Sequence, residues 1–175
     1  EVVMIGKVTK ERLFDGSTQL DNRAMRLLAG LPDRNDDTIL MAIVRELGKD
    51  GLRVLDQTQL IRLLLPAPGV LTKRAPSEAE LADMEYGFAM AKEIGRLDIG
   101  QTVVVKNGAV MAVEAIEGTD ACIRRGGQLG RGDVVVAKAA KPQQDIRFDM
   151  PSVGPDTLQA MIEAGATALV LEAGR

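Results

Sequence analysis

The stretch QTVVVKNGAVMAVEA (101–115) decides the architecture. Two strand-like runs, Gln101 to Lys106 and Ala109 to Ala115, flank Asn107-Gly108. Asn-Gly tolerates the positive φ angles of a tight two-residue turn, so the pair predicts an antiparallel hairpin. The next elements differ in kind. Thr119 to about Leu129 has helical character, and Val134 to Lys138 is a buried strand. Pro155 suits a first helical position, the helix it opens runs through Ala164, and Gly165 ends it before a strand at Thr167 to Leu171. A hairpin followed by helix, strand, helix and strand gives an α/β unit with a mixed sheet.

Upstream of the hairpin, Ser77 with Glu80 three residues on forms a capping box. Leu81, Met84, Phe88, Ala91 and Ile94 then fall on one helical face. The three prolines of PAPGVLTKRAP (66–76) mark a connector between two units. Before it, Val2 to Ile5 reads as a buried strand and Asp21 to Ala29 as a helix. Asp36 to Leu47 reads as a second helix with Gly48 at its C-cap, and Leu52 to Leu55 as a strand. Asp56 is placed to cap a helix reaching Leu65, where Pro66 stops it. The division expected is 1–65, 66–76 and 77–175. Both ends look cut, as in a fragment of a longer protein.

Composition narrows the chemistry. The 175 residues carry a net charge of -3, with 46% hydrophobic and 2% aromatic residues. Neither a basic excess nor aromatic stacking platforms favour nucleic acid. There is no histidine, which removes Ser-His-Asp and Cys-His catalysis and His-ligated metal centres. The lone Cys122 rules out an internal disulfide, fits a reducing cytoplasm, and reads as a small buried hydrophobe. Metal chemistry would have to use oxygen ligands, which suits magnesium or manganese.

Ligands of open α/β sheets gather beyond the C-terminal ends of strands. Three polar segments qualify: Glu117 to Asp120, Lys141 to Asp156, and Glu172. In KPQQDIRFDMPSVGPDT (141–157), Asp145, Arg147 and Asp149 alternate with Ile146 and Phe148. An extended backbone would put the three polar side chains on one side, as a metal or phosphate site or a plain surface ladder. The segment around Gly154 opens a helix, whose free N–H groups can hold a phosphate or be satisfied by capping alone. Glu114 and Glu117 lie on opposite strand faces and are not expected to act as a pair. Arg124 and Arg125 are candidates for neutralising phosphate or plain solvated helix charges, and Thr72-Lys73-Arg74 for reaching a ligand from the connector or solvating it. GGQLGRGD (126–133) lacks the Lys-Ser/Thr ending of a phosphate loop and reads as a flexible turn.

GVLTKRAPSEAELADMEYG, DIGQTVVVKNGAVMAVEAIEGTDACIRRGG, KPQQDIRFDMPSVGPDTLQAMIEAG and LEAG occur in this order. Together they resemble the UDP-2,3-diacylglucosamine pyrophosphatases of bacterial lipid A biosynthesis, in their histidine-free form. The resemblance is close from Gly69 to Gly174. Residues 1–65 resemble more weakly the end of that family's Rossmann-like N-terminal half. It implies a magnesium-dependent (or manganese-dependent) hydrolase at the cytoplasmic face of the inner membrane, with its site between the two halves. Its products would be UMP and 2,3-diacylglucosamine 1-phosphate, lipid X.

On that resemblance, Asp145 and Asp149 are expected to bind metal or position water, and Arg147 to stabilise phosphoryl charge. Asp120 and Glu117 are further metal candidates. Thr72, Lys73, Arg74, Thr119, Arg124, Lys141 and Gly154 are candidates for contacts to phosphate or UMP. The Leu81-Met84-Phe88 face, with Met90 and Met111, is either an acyl groove or core. A homo-oligomer is a further expectation. Two other readings stand beside this one: a different magnesium-dependent nucleotide-sugar or phosphoryl-transfer enzyme, and a non-catalytic nucleotide-binding regulatory module.

Overall fold

The structure is a computed structural model that describes residues 1–4, 19–33, 36–142, 144–145, 147 and 150–174. It divides into two compact units. One comprises Glu1–Arg62 with Asp145–Asp149, the other Leu63–Gln144 with Met150–Arg175.

The larger unit is a four-stranded mixed sheet: β1 (Thr102–Lys106), β2 (Ala109–Val113), β3 (Val134–Lys138) and β4 (Ala166–Leu171), in the order β2-β1-β3-β4. β1 runs antiparallel to both its neighbours, and β3 and β4 are parallel. β2, β3 and β4 therefore point the same way. The hairpin turn forms as expected, with φ of 52° at Asn107 and 71° at Gly108.

Period-two alternation assigns the valines of β1 to opposite faces. On one face Val104, Val134 and Val136 pack with Cys122, Ile123, Ala160 and Met161. These residues bring in α4 (Thr119–Gly130) and α5 (Pro155–Glu163). On the other face Val103, Val105 and Ala139 meet Ala91, with Phe88 and Ile94 alongside, from α3 (Glu78–Arg96). The result is a sheet between two helical layers.

The capping box of α3 is present, with Ser77 and Glu80 each holding the other's backbone N–H. Its buried face is the expected one only in part, with Ala91 buried and Phe88 and Ile94 packed beside it. Asp83, Gly87, Ala91 and Gly95 are buried, whereas Leu81 is exposed. The helix lies so close to the sheet that a Cβ on Gly87 would stand 3.0 Å from both Ala137 and Val105. Large side chains are displaced to the flanks. Asp83 is buried because its carboxylate accepts the N–H groups of Asn107 (2.8 Å) and Gly108 (2.6 Å). Met111 packs with the α4–α5 core and Phe88 and Met90 with the other, so they do not line one groove.

The glycines read as a flexible turn mostly complete α4. A Cβ on Gly126 would come within 2.5 Å of Val104, and one on Gly127 within 2.4 Å of the Ala164 carbonyl oxygen. The turn proper is Arg131 to Asp133, with φ of 56°, 76° and 50°. The helix is glycine-rich because it is tightly seated.

In the smaller unit, α1 (Asn22–Ala29) forms close to the expected span, with the Asp21 side chain as its cap. α2 (Asp36–Lys49) passes through Gly48, and Gly51, with φ of 72°, takes the left-handed position instead. Of the two strands expected here, the described residues show one parallel bridge, Val2 with Val54; Ile5 lies outside them. Asp56 caps a single 3-10 turn, Gln57–Gln59, and a second follows at Arg62–Leu64, in place of the expected helix. Leu63 and Leu64 face solvent there, so no apolar stripe is buried to hold a longer helix. Among the described residues, no helix is long and apolar enough to cross a membrane.

Candidate active site

Because β2, β3 and β4 share a direction, the segments that follow them leave from one edge of the sheet. These are the three polar segments singled out in the sequence. The two internal ones turn back as α4 and α5, so both helix N-termini open at that edge.

Lys138 ends β3 and is only 6% exposed. Its Nζ donates to Thr119 Oγ1 at 3.2 Å and to the Ser152 carbonyl at 2.9 Å. Thr119 in turn donates its hydroxyl proton to Glu114 Oε1 at 3.0 Å, and Glu114 is 7% exposed. Thr102 donates to Thr119 Oγ1 at 3.4 Å, and the Gln101 N–H to Glu114 Oε2 at 3.3 Å. A buried cation and a buried carboxylate are thus linked through one hydroxyl, the compensation that burial of such groups demands. Gln101 Oε1, at the same edge, is the buried side-chain oxygen left without a partner among the described residues.

Asp120 and Thr157 join the two helix starts, with Thr157 Oγ1 donating to Asp120 Oδ1 at 2.9 Å. The N-caps of these helices are Gly118 and Gly154, and neither has a side-chain cap. Their first-turn N–H groups and the positive ends of two helix dipoles are directed to the strand-end edge, where anions are favoured. Beyond β4, Glu172 accepts both Lys92 Nζ (3.1 Å) and the Ala140 N–H (2.9 Å). Lys141 reaches Asp98 at 2.6 Å and its N–H is held by Gln144 Oε1 at 3.0 Å, so the start of the loop after β3 is firmly anchored.

Other expected residues are engaged elsewhere. Arg147 grips Asp145 through Nε (2.9 Å) and Nη2 (2.5 Å), and the Arg147 carbonyl accepts the Gln57 N–H at 2.9 Å. The Arg147 hydrogen bonds hold the Asp145 carboxyl below the usual carboxylate range. Asp149 lies outside the described residues. Arg74 binds Glu80 with two bonds of 2.8 Å and the Thr167 carbonyl at 2.6 Å, which ties it to the start of β4, the opposite edge. Thr72 donates to the Arg74 carbonyl at 2.7 Å, and Lys73 is exposed. Arg124 pairs with Glu163 at 2.6 Å, and Arg125 with Glu117. The structure therefore brings Thr119, Asp120 and Gly154 to one edge and leaves Thr72, Lys73 and Arg74 away from it.

Lys138 and Thr157 escaped the sequence reading. The signal for Lys138 was a lysine closing the otherwise apolar run VVVAK, a charge at the carboxyl end of a central strand. Cys122 is buried, and desolvation followed by the nearby Glu114 charge pushes its thiol up to about 12, so it supplies no thiolate. Among the described residues no three carboxylate or thiol side chains converge as a metal cage.

Residues 67–175 match the LpxI C-terminal domain family, and residues 1–64 the LpxI N-terminal domain family. The chain belongs to the LpxI family. It is 38% identical over 166 residues to the UDP-2,3-diacylglucosamine pyrophosphatase LpxI of Caulobacter vibrioides, covering 89% of this chain and 59% of that protein. This LpxI-family chain thus spans 59% of that relative's length. It is also 32% identical over 120 residues to the bifunctional purine biosynthesis protein PurH of Dinoroseobacter shibae, covering 60% of this chain and 20% of that protein. A PurH of Thermoanaerobacter is 26% identical over 110 residues.

Proposed function

We propose that this LpxI-family chain hydrolyses the pyrophosphate bond of UDP-2,3-diacylglucosamine, giving UMP and 2,3-diacylglucosamine 1-phosphate. The observation that carries the reading is the joined pair of open helix N-termini, Thr119-Asp120 and Pro155-Asp156-Thr157, beside a buried lysine. A pyrophosphate needs fixed positive potential near its oxygens, and two helix ends and an ammonium supply it without rearrangement. Water would add to one phosphorus as the bridging oxygen departs with the other phosphate. Each product then carries one phosphate group, and the water's protons are shared out between the products and solvent.

Within this reading Asp120, fixed by Thr157, orients the attacking water. Lys138 acts at one remove, holding Thr119 and the Ser152 carbonyl so that both helix ends keep their places. Thr119 and Gly154 stand at that edge for phosphate contact, and Lys141 and Arg124, engaged by Asp98 and Glu163, are candidates for UMP. Thr72, Lys73 and Arg74 are assigned to more distant substrate groups. Asp145, Arg147 and Asp149 remain candidates for water positioning and charge stabilisation.

Magnesium belongs to the same proposal. It prefers oxygen ligands, keeps several waters, and is commonly held by one or two carboxylates with substrate phosphates. The oxygen donors Asp120, which accepts from Thr157, and Glu117, which pairs with Arg125, are the residues here that would hold it in that mode. Bound there, the ion would neutralise charge on the phosphate oxygens. An acylated substrate places the protein at the cytoplasmic face of the inner membrane, and a homo-oligomer is part of the same reading.

The test is turnover of UDP-2,3-diacylglucosamine followed by phosphorus NMR, with and without magnesium. UMP and a sugar 1-phosphate should appear only with the metal. Asp120→Asn should lower kcat by about 10²-fold or more while the fold, read by circular dichroism, is kept. No cleavage by the folded wild-type protein, or full activity in Asp120→Asn, would overturn the assignment.

A further inference from the structure

The segment between the second 3-10 turn and α3 exposes large apolar side chains in close succession. Leu63 is 100% exposed, Leu64 78%, Val70 58% and Leu71 68%. A monomeric surface seldom leaves this much aliphatic area in water without a partner. From Gln57 to Ser77 the sequence contains no Asp or Glu but three bases, Arg62, Lys73 and Arg74, in a chain whose net charge is -3. Arg74 is engaged by Glu80, whereas Arg62 and Lys73 are exposed. Pro66, Pro68 and Pro76 keep this stretch from continuing as a helix or pairing as a strand, so the leucines remain outward.

We infer that Leu63–Arg74 is a lipid-docking strap, which seats its leucines in the interface of a bilayer bearing anionic headgroups. Aliphatic side chains flanked by cations, with no carboxylate among them, match such a surface in both polarity and charge. A protein partner would more often be met by aromatic anchors, and this stretch has none. The docking rests on the proposed acylated substrate for its purpose: it holds the protein where that substrate resides, which raises the local concentration. It stands apart from that substrate in its evidence.

The test is co-sedimentation of the protein with vesicles of phosphatidylglycerol and phosphatidylethanolamine, against vesicles of phosphatidylcholine alone, with no nucleotide sugar present. Failure of the hydrolysis reading and failure of this one are therefore read separately. The wild type should pellet with the anionic vesicles, and raising salt should weaken binding by about fivefold per base involved. Leu63→Gln with Leu64→Gln and Leu71→Gln should cut the bound fraction at least about tenfold. These side chains are solvent-exposed, so the fold should be unchanged by circular dichroism. Leu158→Gln with Ile162→Gln, on the exposed side of α5, is the matched control and should bind within about twofold of wild type. Wild type that stays in the supernatant, or a triple variant that pellets as well as wild type, overturns the strap. So does a wild-type dimer without lipid that the triple variant converts to monomer in the ultracentrifuge, since the leucines then cover a second copy.

Discussion

Two cation clusters sit at opposite edges of the same sheet and use similar chemistry to different effect. At the strand-end edge, Lys138 binds a threonine hydroxyl and a backbone carbonyl and reaches Glu114 through Thr119, all with little solvent access. At the other edge, Arg74 binds Glu80 and the Thr167 carbonyl with shorter bonds, yet its side chain is 59% exposed. Bond length would rank the second cluster first. Burial reverses the order, because water screens Arg74 and competes for its donors. Fixed potential of the kind a phosphate site requires can persist only at the first.

The largest effect should come from Lys138→Met. It strands Glu114 and costs about 3–5 kcal/mol of stability, read by urea unfolding. A loss below about 1 kcal/mol would mean the two edges do not differ. The double variant Lys138→Met with Glu114→Gln should recover part of that loss, and strict additivity would break the link through Thr119. Arg74→Ala should cost far less stability than Lys138→Met, with the deficit shrinking in concentrated salt.

Acid sharpens the contrast. The Arg74 hydrogen bond, then the Ser77 N–H, hold the Glu80 pKa well below the usual carboxylate range. A depressed folded value stabilises above the unfolded carboxylate pKa of about 4.3, and that stability is lost as pH falls through the folded value. Arg74→Ala should therefore flatten the stability profile below about pH 4, and an unchanged profile would remove Glu80 from it. The smallest effect is kinetic: Cys122 should resist alkylation in the native protein and react once denatured.

The strongest local signals survived folding. Asn107-Gly108, the Ser77–Glu80 box and Pro155 each satisfy backbone demands within a few residues, so context does not overrule them. Of the stripe Leu81-Met84-Phe88, Phe88 packs against the core and Leu81 is exposed, because a helix set closely on a sheet buries its smallest line, here Gly87, Ala91 and Gly95. Gly48 and Gly51 offer the same freedom to a helix end, and only the chain's path chose Gly51. Asp145 and Arg147 were legible as an alternating charged set, with a surface ladder as one reading, and the structure pairs the two.

The sequence by itself determined the α/β character, the hairpin and the starts of α3 and α5, and its lack of histidine removed imidazole from the available chemistry. Those follow from backbone propensity and from the functional groups available. Which polar segments share an edge was decided by strand order and direction, long-range pairings that local pattern does not encode. Burial of Lys138 was decided there too, since only the packed sheet removes that ammonium from water and gives it Thr119 and Ser152 in return.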